Sequence, residues 1–193
     1  MDKIICFLHT ETTDLHKTKE YVTKKNLYCY ARMVTLNYEI GYIENNVFIL
    51  SKKVKNIIKP RTMHIPEESI KFHNITQEYA IQNGKEIELV IEEFKKDNKN
   101  TSIIISHNID FHLKTLISEA FRYNIVLEFN NYLIIDTISF YHKYGFIKLK
   151  DLFDKLKIEK NNTEEYDTTE LIKLVFFKLY SKFKKSIKKD KIN

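Results

Sequence analysis

Glycine is scarce in this 193-residue chain, with only three. A loop that cradles phosphates with its backbone needs several glycines close together, so Walker-type and dinucleotide-type sites are not expected. Proline occurs twice, both times within "KPRTMHIPEES", which marks that stretch as a connection leading into a short helix. The two cysteines, Cys6 and Cys29, are too few for a disulfide framework, and zinc-finger spacing is missing too. Cys6 lies in an apolar run and reads as a core residue. No apolar run approaches the ~20 residues needed to span a bilayer. The N-terminus lacks an apolar segment followed by small residues, so no signal peptide is read there. The expectation is a soluble, intracellular protein without a membrane partner, placed in the cytoplasm, the nucleus or a virus factory or virion.

The hydrophobic fraction of 43% supports a globular fold with a proper core, and the length suits one domain. The formal net charge of +6 and a pI near 9.0 suit a polyanionic partner, although solubility alone also accounts for them. Abundant Lys, Ile and Asn beside so little Gly point to an AT-rich genome, such as that of a virus, a phage or a reduced cell.

Hydrophobic periodicity divides the chain into elements. Ile4–Leu8 is continuously apolar, as in a strand covered on both faces. His16–Lys25 is charged and loop-like. Met33–Tyr42 alternates, with Val34, Leu36, Tyr38 and Ile40 on one face. "ENN" turns the chain into a second strand, Val47–Val54, making an antiparallel hairpin. Ile87, Val90, Ile91 and Phe94 recur at helical spacing. "TSIIIS" (101–106) and "YLIID" (132–136) are further strands. Between them, residues 108–123 form a helix with Phe111, Leu116, Ala120 and Phe121 inward. Leu149, Leu152, Phe153 and Leu156 mark another helix, and Glu164 to about Lys185 the last. The fold class is therefore α/β, a mixed sheet flanked by helices.

Several stretches, in this order, resemble the DnaQ-like 3′–5′ exonucleases, the DEDD group of the ribonuclease H-like fold. "FLHTETTDL" resembles that family's first motif, Phe-x-Asp-x-Glu-Thr-Thr-Gly-Leu, and "ARMVTLNYEIGYI" its second strand. "VKNIIKPRTMHIPEESIKFHNITQE" resembles the stretch leading to His-Gly-Ile-Thr-x-Glu. "SHNIDFHLKTLISEAFR" resembles the second motif, His-Asn-x-x-Phe-Asp, and "IIDT" the strand after it. "KLKDLFDKLKI" and "TEEYDTTELIKLVFFKL" resemble the C-terminal helices that carry His-x-Ala-x-x-Asp. The resemblance implies a ribonuclease H-like sheet, an antiparallel hairpin joined to parallel strands. It implies an exonuclease-like domain over 1–180, and the lysines of "SKFKKSIKKDKIN" mark a basic tail, 181–193.

In that family four carboxylates hold two divalent ions that activate a water and stabilise the scissile phosphate. Position by position, the first carboxylate falls on His9, the second on Glu11, the third on His112 and the fourth on Thr168. The general-base histidine falls on Thr163. Only Glu11 matches. Asp167 and Tyr166 are the substitutes if the last helix slips, whereas Asp110 points to a different part of its helix. One carboxylate cannot hold two magnesium ions, which want hard oxygen ligands. The expectation is a degenerate, inactive exonuclease homologue with no cofactor, retained to bind nucleic acid or as a subunit of a replication or transcription assembly. The alternative is an active 3′–5′ exonuclease in which His9, Glu11 and His112 bind Mn, Fe or Zn, a donor set those metals accept.

For nucleic-acid binding, the resemblance directs attention to Thr12, Thr13, His107 and Asn108 at the cleft. The tail adds Lys184, Lys185, Lys188 and Lys189 for a phosphate backbone. The expected ligand is single-stranded, stacked on apolar side chains. His107 and Asn108 are expected to tie a strand end to a helix start, with Asn108 as cap. Asn74 replaces a family glycine and suits a left-handed turn. Asp136 and Thr137 read as structural, and His16, His64 and His142 as surface residues.

Overall fold

A computed structural model describes residues 3–45, 47–139, 145–159 and 166–190, with side chains up to 181. Thr163 and His142 lie outside the described residues, as do the side chains of Lys184, Lys185, Lys188 and Lys189.

The run Ile4–Leu8 becomes β1 (Ile5–Thr12), the middle strand of a five-stranded sheet. β2 (Met33–Glu44) and β3 (Val47–Ile57) form the expected antiparallel hairpin, and β2 pairs antiparallel with β1. On the other side β4 (Ile103–Ser106) and β5 (Leu133–Asp136) add in parallel, giving the order β3-β2-β1-β4-β5. This is the mixed ribonuclease H-like sheet expected from the sequence.

Among the described residues six α-helices flank it. α1 (Glu67–His73) and α2 (Gln77–Asn83) occupy the connection where a single short helix is expected. α3 (Ile87–Asp97) and α4 (Ile109–Arg122) pack on one face of the sheet against Cys6, Leu8, Leu36, Tyr38 and Ile104. α6 (Thr168–Asp190) covers the other face through Ile172 and Phe176 against Ile5, Phe7 and Ile105. α5 (Leu149–Lys155) packs on α6 through Leu152, Phe153, Val175 and Leu179. With helices on both faces, β1 is buried on both sides, as its unbroken apolar run requires. Each such large side chain contributes ~1.5–3 kcal/mol on burial.

Three expectations are revised. β2 is buried on both faces along most of its length, not only at Val34, Leu36, Tyr38 and Ile40, because α6 covers the second face. There Glu39 is fully buried, and it is held by Lys53 at 2.9 Å and Lys173 at 2.7 Å. Phe111 and Phe121 are only half-buried, while Leu116 and Ala120 are fully buried. His16 is not a free surface residue: its ring stacks on Phe111 at 4.2 Å and hydrogen-bonds the Phe111 carbonyl.

The shortage of glycine has a structural consequence. Asn45, Asn74, Asn108 and Asn124 all adopt positive φ, which asparagine tolerates better than other non-glycine residues. Asn45 turns the β2–β3 hairpin and Asn74 ends α1 in the left-handed conformation, as expected for it.

Candidate functional site

The C-terminal end of β1 and the N-terminal end of α4 converge on a cleft of about 640 Å³. Of the residues singled out in the sequence, His9, Glu11, Thr12, Thr13, His107, Asn108 and His112 all line it. Thr168, Asp167 and Tyr166 do not.

His9 and Glu11 project from the same face of β1, since alternate strand residues do. A strand irregularity between Glu11 and Thr12 then breaks the register with β2, which bends the strand at the rim of the cleft. His9 Nε2 lies 2.8 Å from Glu11 Oε1 and donates to it. Burial raises the Glu11 carboxyl, but the His9 hydrogen bond and the nearby His9 and His73 rings outweigh it, so the group sits below its ordinary range.

His112 faces them from α4, its ring 4.7 Å from that of His9. Both of its nitrogens are engaged. Nδ1 accepts from the Thr10 backbone N–H at 3.2 Å and the Thr10 hydroxyl at 2.8 Å. Nε2 then carries the proton and donates to the His107 carbonyl at 3.2 Å. The ring is therefore neutral with its lone pair used. Burial, followed by the neighbouring His9, pushes its pKa well down.

His107 is equally committed. Nδ1 accepts from the Thr137 hydroxyl at 2.8 Å and Nε2 donates to the Ile147 carbonyl at 2.7 Å. Its ring ties β4 to the segments after β5 and not, as expected, to the start of α4, because both ring nitrogens are taken by Thr137 and Ile147. Asn108 begins α4 in a left-handed conformation and makes no side-chain cap. Asp136 does that work instead. Its carboxylate accepts from the backbone N–H groups of Asn108 at 2.9 Å and Ile109 at 3.0 Å. Asn108's side chain has no hydrogen-bond partner among the described residues and lines the cleft. The Thr12 hydroxyl donates to the Asp14 carbonyl, and the Thr13 hydroxyl accepts from the Arg32 N–H.

Asp167, the possible substitute ligand, is diverted. Its carboxylate pairs with Lys53 at 2.7 Å and Lys55 at 2.9 Å, and accepts from the Glu170 N–H at 3.0 Å. It anchors the start of α6 to β3. Asp110 is exposed and pairs with Lys114 along its own helix.

The metals the resemblance implies do not fit this donor set. Glu11 is the only carboxylate at the four positions, and His112 has no free nitrogen. Among the described residues no group of three or more His, Cys, Asp or Glu side chains is arranged to hold a metal ion.

The cleft also holds residues that sequence reasoning passed over. Phe72 on α1 is 84% exposed and Phe146 is 67% exposed, and both line it. Phe111 lines it too, half-buried. The readable signal was a phenylalanine beside His73 on a short polar helix, where burial has little to offer. The charged groups are Glu11, Asp14 and Glu68 against Lys148, so the cleft itself has little attraction for phosphate.

No family model matches the sequence, and no curated protein matches it. Solved structures do match. Exonuclease I of Methylocaldum szegediense superposes with a TM-score of 0.68 at 14% identity, over 93% of this chain and 40% of that one. E. coli exonuclease I in complex with a dA16 oligonucleotide gives 0.66 at 12%, over 93% and 41%. The nuclease domain of 3′hExo, a DEDDh family member bound to rAMP, gives 0.64 at 11%, over 96% and 93%. The fold is that of the DnaQ-like exonucleases. The chain spans about two fifths of the length of the exonuclease I chains. Among the described residues no helix is long and apolar enough to cross a membrane.

Proposed function

We propose that this protein is an exonuclease-fold protein without hydrolytic activity that binds the end of a single nucleic-acid strand in the β1–α4 cleft. The observation that carries the reading is the engagement of His112. Where a metal-binding carboxylate would stand, a neutral imidazole is locked by Thr10 and His107. The sole matching carboxylate, Glu11, is occupied by His9. Phe72, Phe146 and Phe111 offer flat apolar surfaces on which bases stack whatever their identity. Exonuclease folds resembling this one have been seen with an oligonucleotide and with a mononucleotide.

The test is a 3′-labelled single strand incubated with the folded protein in Mg(II), in Mn(II) and in EDTA, beside a Glu11→Ala variant. The expected result is no trimming in any condition, with binding that persists in EDTA and weakens about tenfold in Phe72→Ala, the loss of one stacked base. Metal-dependent trimming that disappears in Glu11→Ala overturns the inactive reading and makes His9 and His112 the next residues to mutate as ligands. Absence of binding to any strand overturns the nucleic-acid reading, and a stable protein partner in a pull-down would then favour a subunit role in a larger assembly.

A further inference from the structure

The loop joining β1 to β2 is long for a compact domain and has only one short turn of helix, Leu27–Cys29. Such loops are usually functional or disordered. This one is firmly held. Lys17 N–H donates to the Cys29 carbonyl at 2.8 Å, closing the loop at its base. Arg122 of α4 donates to the carbonyls of Leu27 at 2.7 Å and Tyr30 at 2.8 Å, and is itself held by buried Glu119. Lys114 donates to the Lys19 carbonyl at 2.7 Å, and the Tyr30 hydroxyl to that of Glu20.

A frame this well anchored nevertheless presents Tyr21 at 90% exposure and Tyr28 at 81%. It also presents Lys17, Lys19, Lys24 and Lys25, all exposed, with Glu20 the one acidic residue among them. None of these four lysines has a carboxylate partner among the described residues. Lys24 donates to the neutral Asn124 side chain. Tyr28 and Lys17 flank a smaller cleft of about 160 Å³ that shares Thr13, Asp14 and Leu15 with the main one. The segment Thr13–Leu15 thus borders both clefts, which places the loop beside the main one.

We infer that this loop is the platform for the strand leaving the main cleft, with Tyr28 and Tyr21 stacking bases and the four lysines facing the phosphates. The inference rests on the reading of the cleft proposed above. Its physical basis is a division of labour: the cleft offers aromatic surfaces but little positive charge, and the adjoining loop offers unpaired positive charge beside exposed aromatic rings. Single-stranded nucleic acid needs both.

The experiment measures anisotropy of labelled strands of about four and about twelve nucleotides, spanning the site sizes common for such grooves. For Tyr21→Ala/Tyr28→Ala, affinity for the long strand falls about thirtyfold or more and that for the short strand is unchanged. For Lys17→Gln/Lys25→Gln, the slope of log affinity against log salt for the long strand shrinks by about 1.4. If the wild type binds both strands and neither pair of substitutions alters the long one, the platform is overturned while the cleft reading stands. If the wild type binds neither, both are overturned. Competition by polyglutamate as effective as by unlabelled strand also overturns the platform, because charge without stacking would then suffice.

Discussion

Among the described side chains, two lysine-rich regions use that residue in opposite ways. Along β3 and just beyond, Lys52 pairs with Asp97, Lys53 with Glu39 and Asp167, Lys55 with Asp167, Lys59 with Glu86 and Lys85 with Glu93. In the β1–β2 loop, Lys17, Lys19, Lys24 and Lys25 meet no carboxylate among the described residues. Composition counts both sets equally toward the net charge of +6. Only the second set is available to a polyanion. The lesson is that net charge in this protein measures a partner's attraction poorly, because the β3 lysines are already paired with carboxylates.

The comparison breaks most visibly at Glu39. Its carboxylate is fully buried between Lys53 and Lys173, so removing its charge leaves the mostly buried Lys173 without its carboxylate and Lys53 with Asp167 alone. Glu39→Gln keeps the shape and is expected to cost about 3 kcal/mol, since breaking a buried pair exposes the desolvation cost of the partner left behind. For a domain of this size that lowers the melting temperature by roughly 9 °C. Calorimetry or thermal circular dichroism reads it. A shift within about 1 °C would mean that water reaches Glu39 and that the β3 charges are not structural.

A smaller effect separates a locked histidine from a ligand. Burial lowers the His112 pKa well below its ordinary value. Below about pH 6.5 the unfolded chain takes up a proton that the folded chain refuses. Stability is therefore complete above that pH and falls as the pH drops, by at most ~1.4 kcal/mol per pH unit for this one group. His112→Gln supplies an acceptor for Thr10 and a donor for His107 without titrating, so its urea midpoint should fall less steeply between pH 6.5 and 5. His16, His73 and His107 are lowered as well and keep part of the slope in both proteins. Equal slopes would mean that His112 protonates within the fold, which the bonds from Thr10 forbid.

Much of the fold was legible because local pattern and burial agree. The continuous run at Ile4–Leu8 could only be a doubly covered strand, and Ile87, Val90, Ile91 and Phe94 are all buried on α3 as their spacing requires. The positions of His9, Glu11 and His112 also emerged in one cleft, because strand ends and helix starts follow chain order. What the sequence could not disclose was pairing. That Asp136, not Asn108, caps α4 depends on β5 lying beside β4, a contact between distant segments. The capture of Asp167 by Lys53 and Lys55 crosses from the last helix to an edge strand. Phe72 was passed over for the opposite reason: a phenylalanine's default reading is burial, and the short polar helix around it was the one hint that it lacks a neighbour.

The smallest effect tests the other side of the comparison. If the loop lysines serve a partner and not the fold, their removal should leave stability untouched while weakening polyanion binding. Lys17→Gln/Lys25→Gln replaces two exposed, unpaired charges, and surface changes of this kind usually stay within ±0.5 kcal/mol. Lys53→Gln is the matched control on β3: it removes the same charge from a side chain that bridges Glu39 and Asp167 at 2.9 and 2.7 Å. Its expected cost is about 1–2 kcal/mol, less than that of Glu39→Gln because Lys173 still neutralises the buried carboxylate and Lys53 is partly solvated. Urea denaturation of the three proteins at one pH and salt concentration orders them. A loop variant as destabilised as Lys53→Gln would show that the loop charges hold the fold after all, and the distinction between the two lysine sets would be lost.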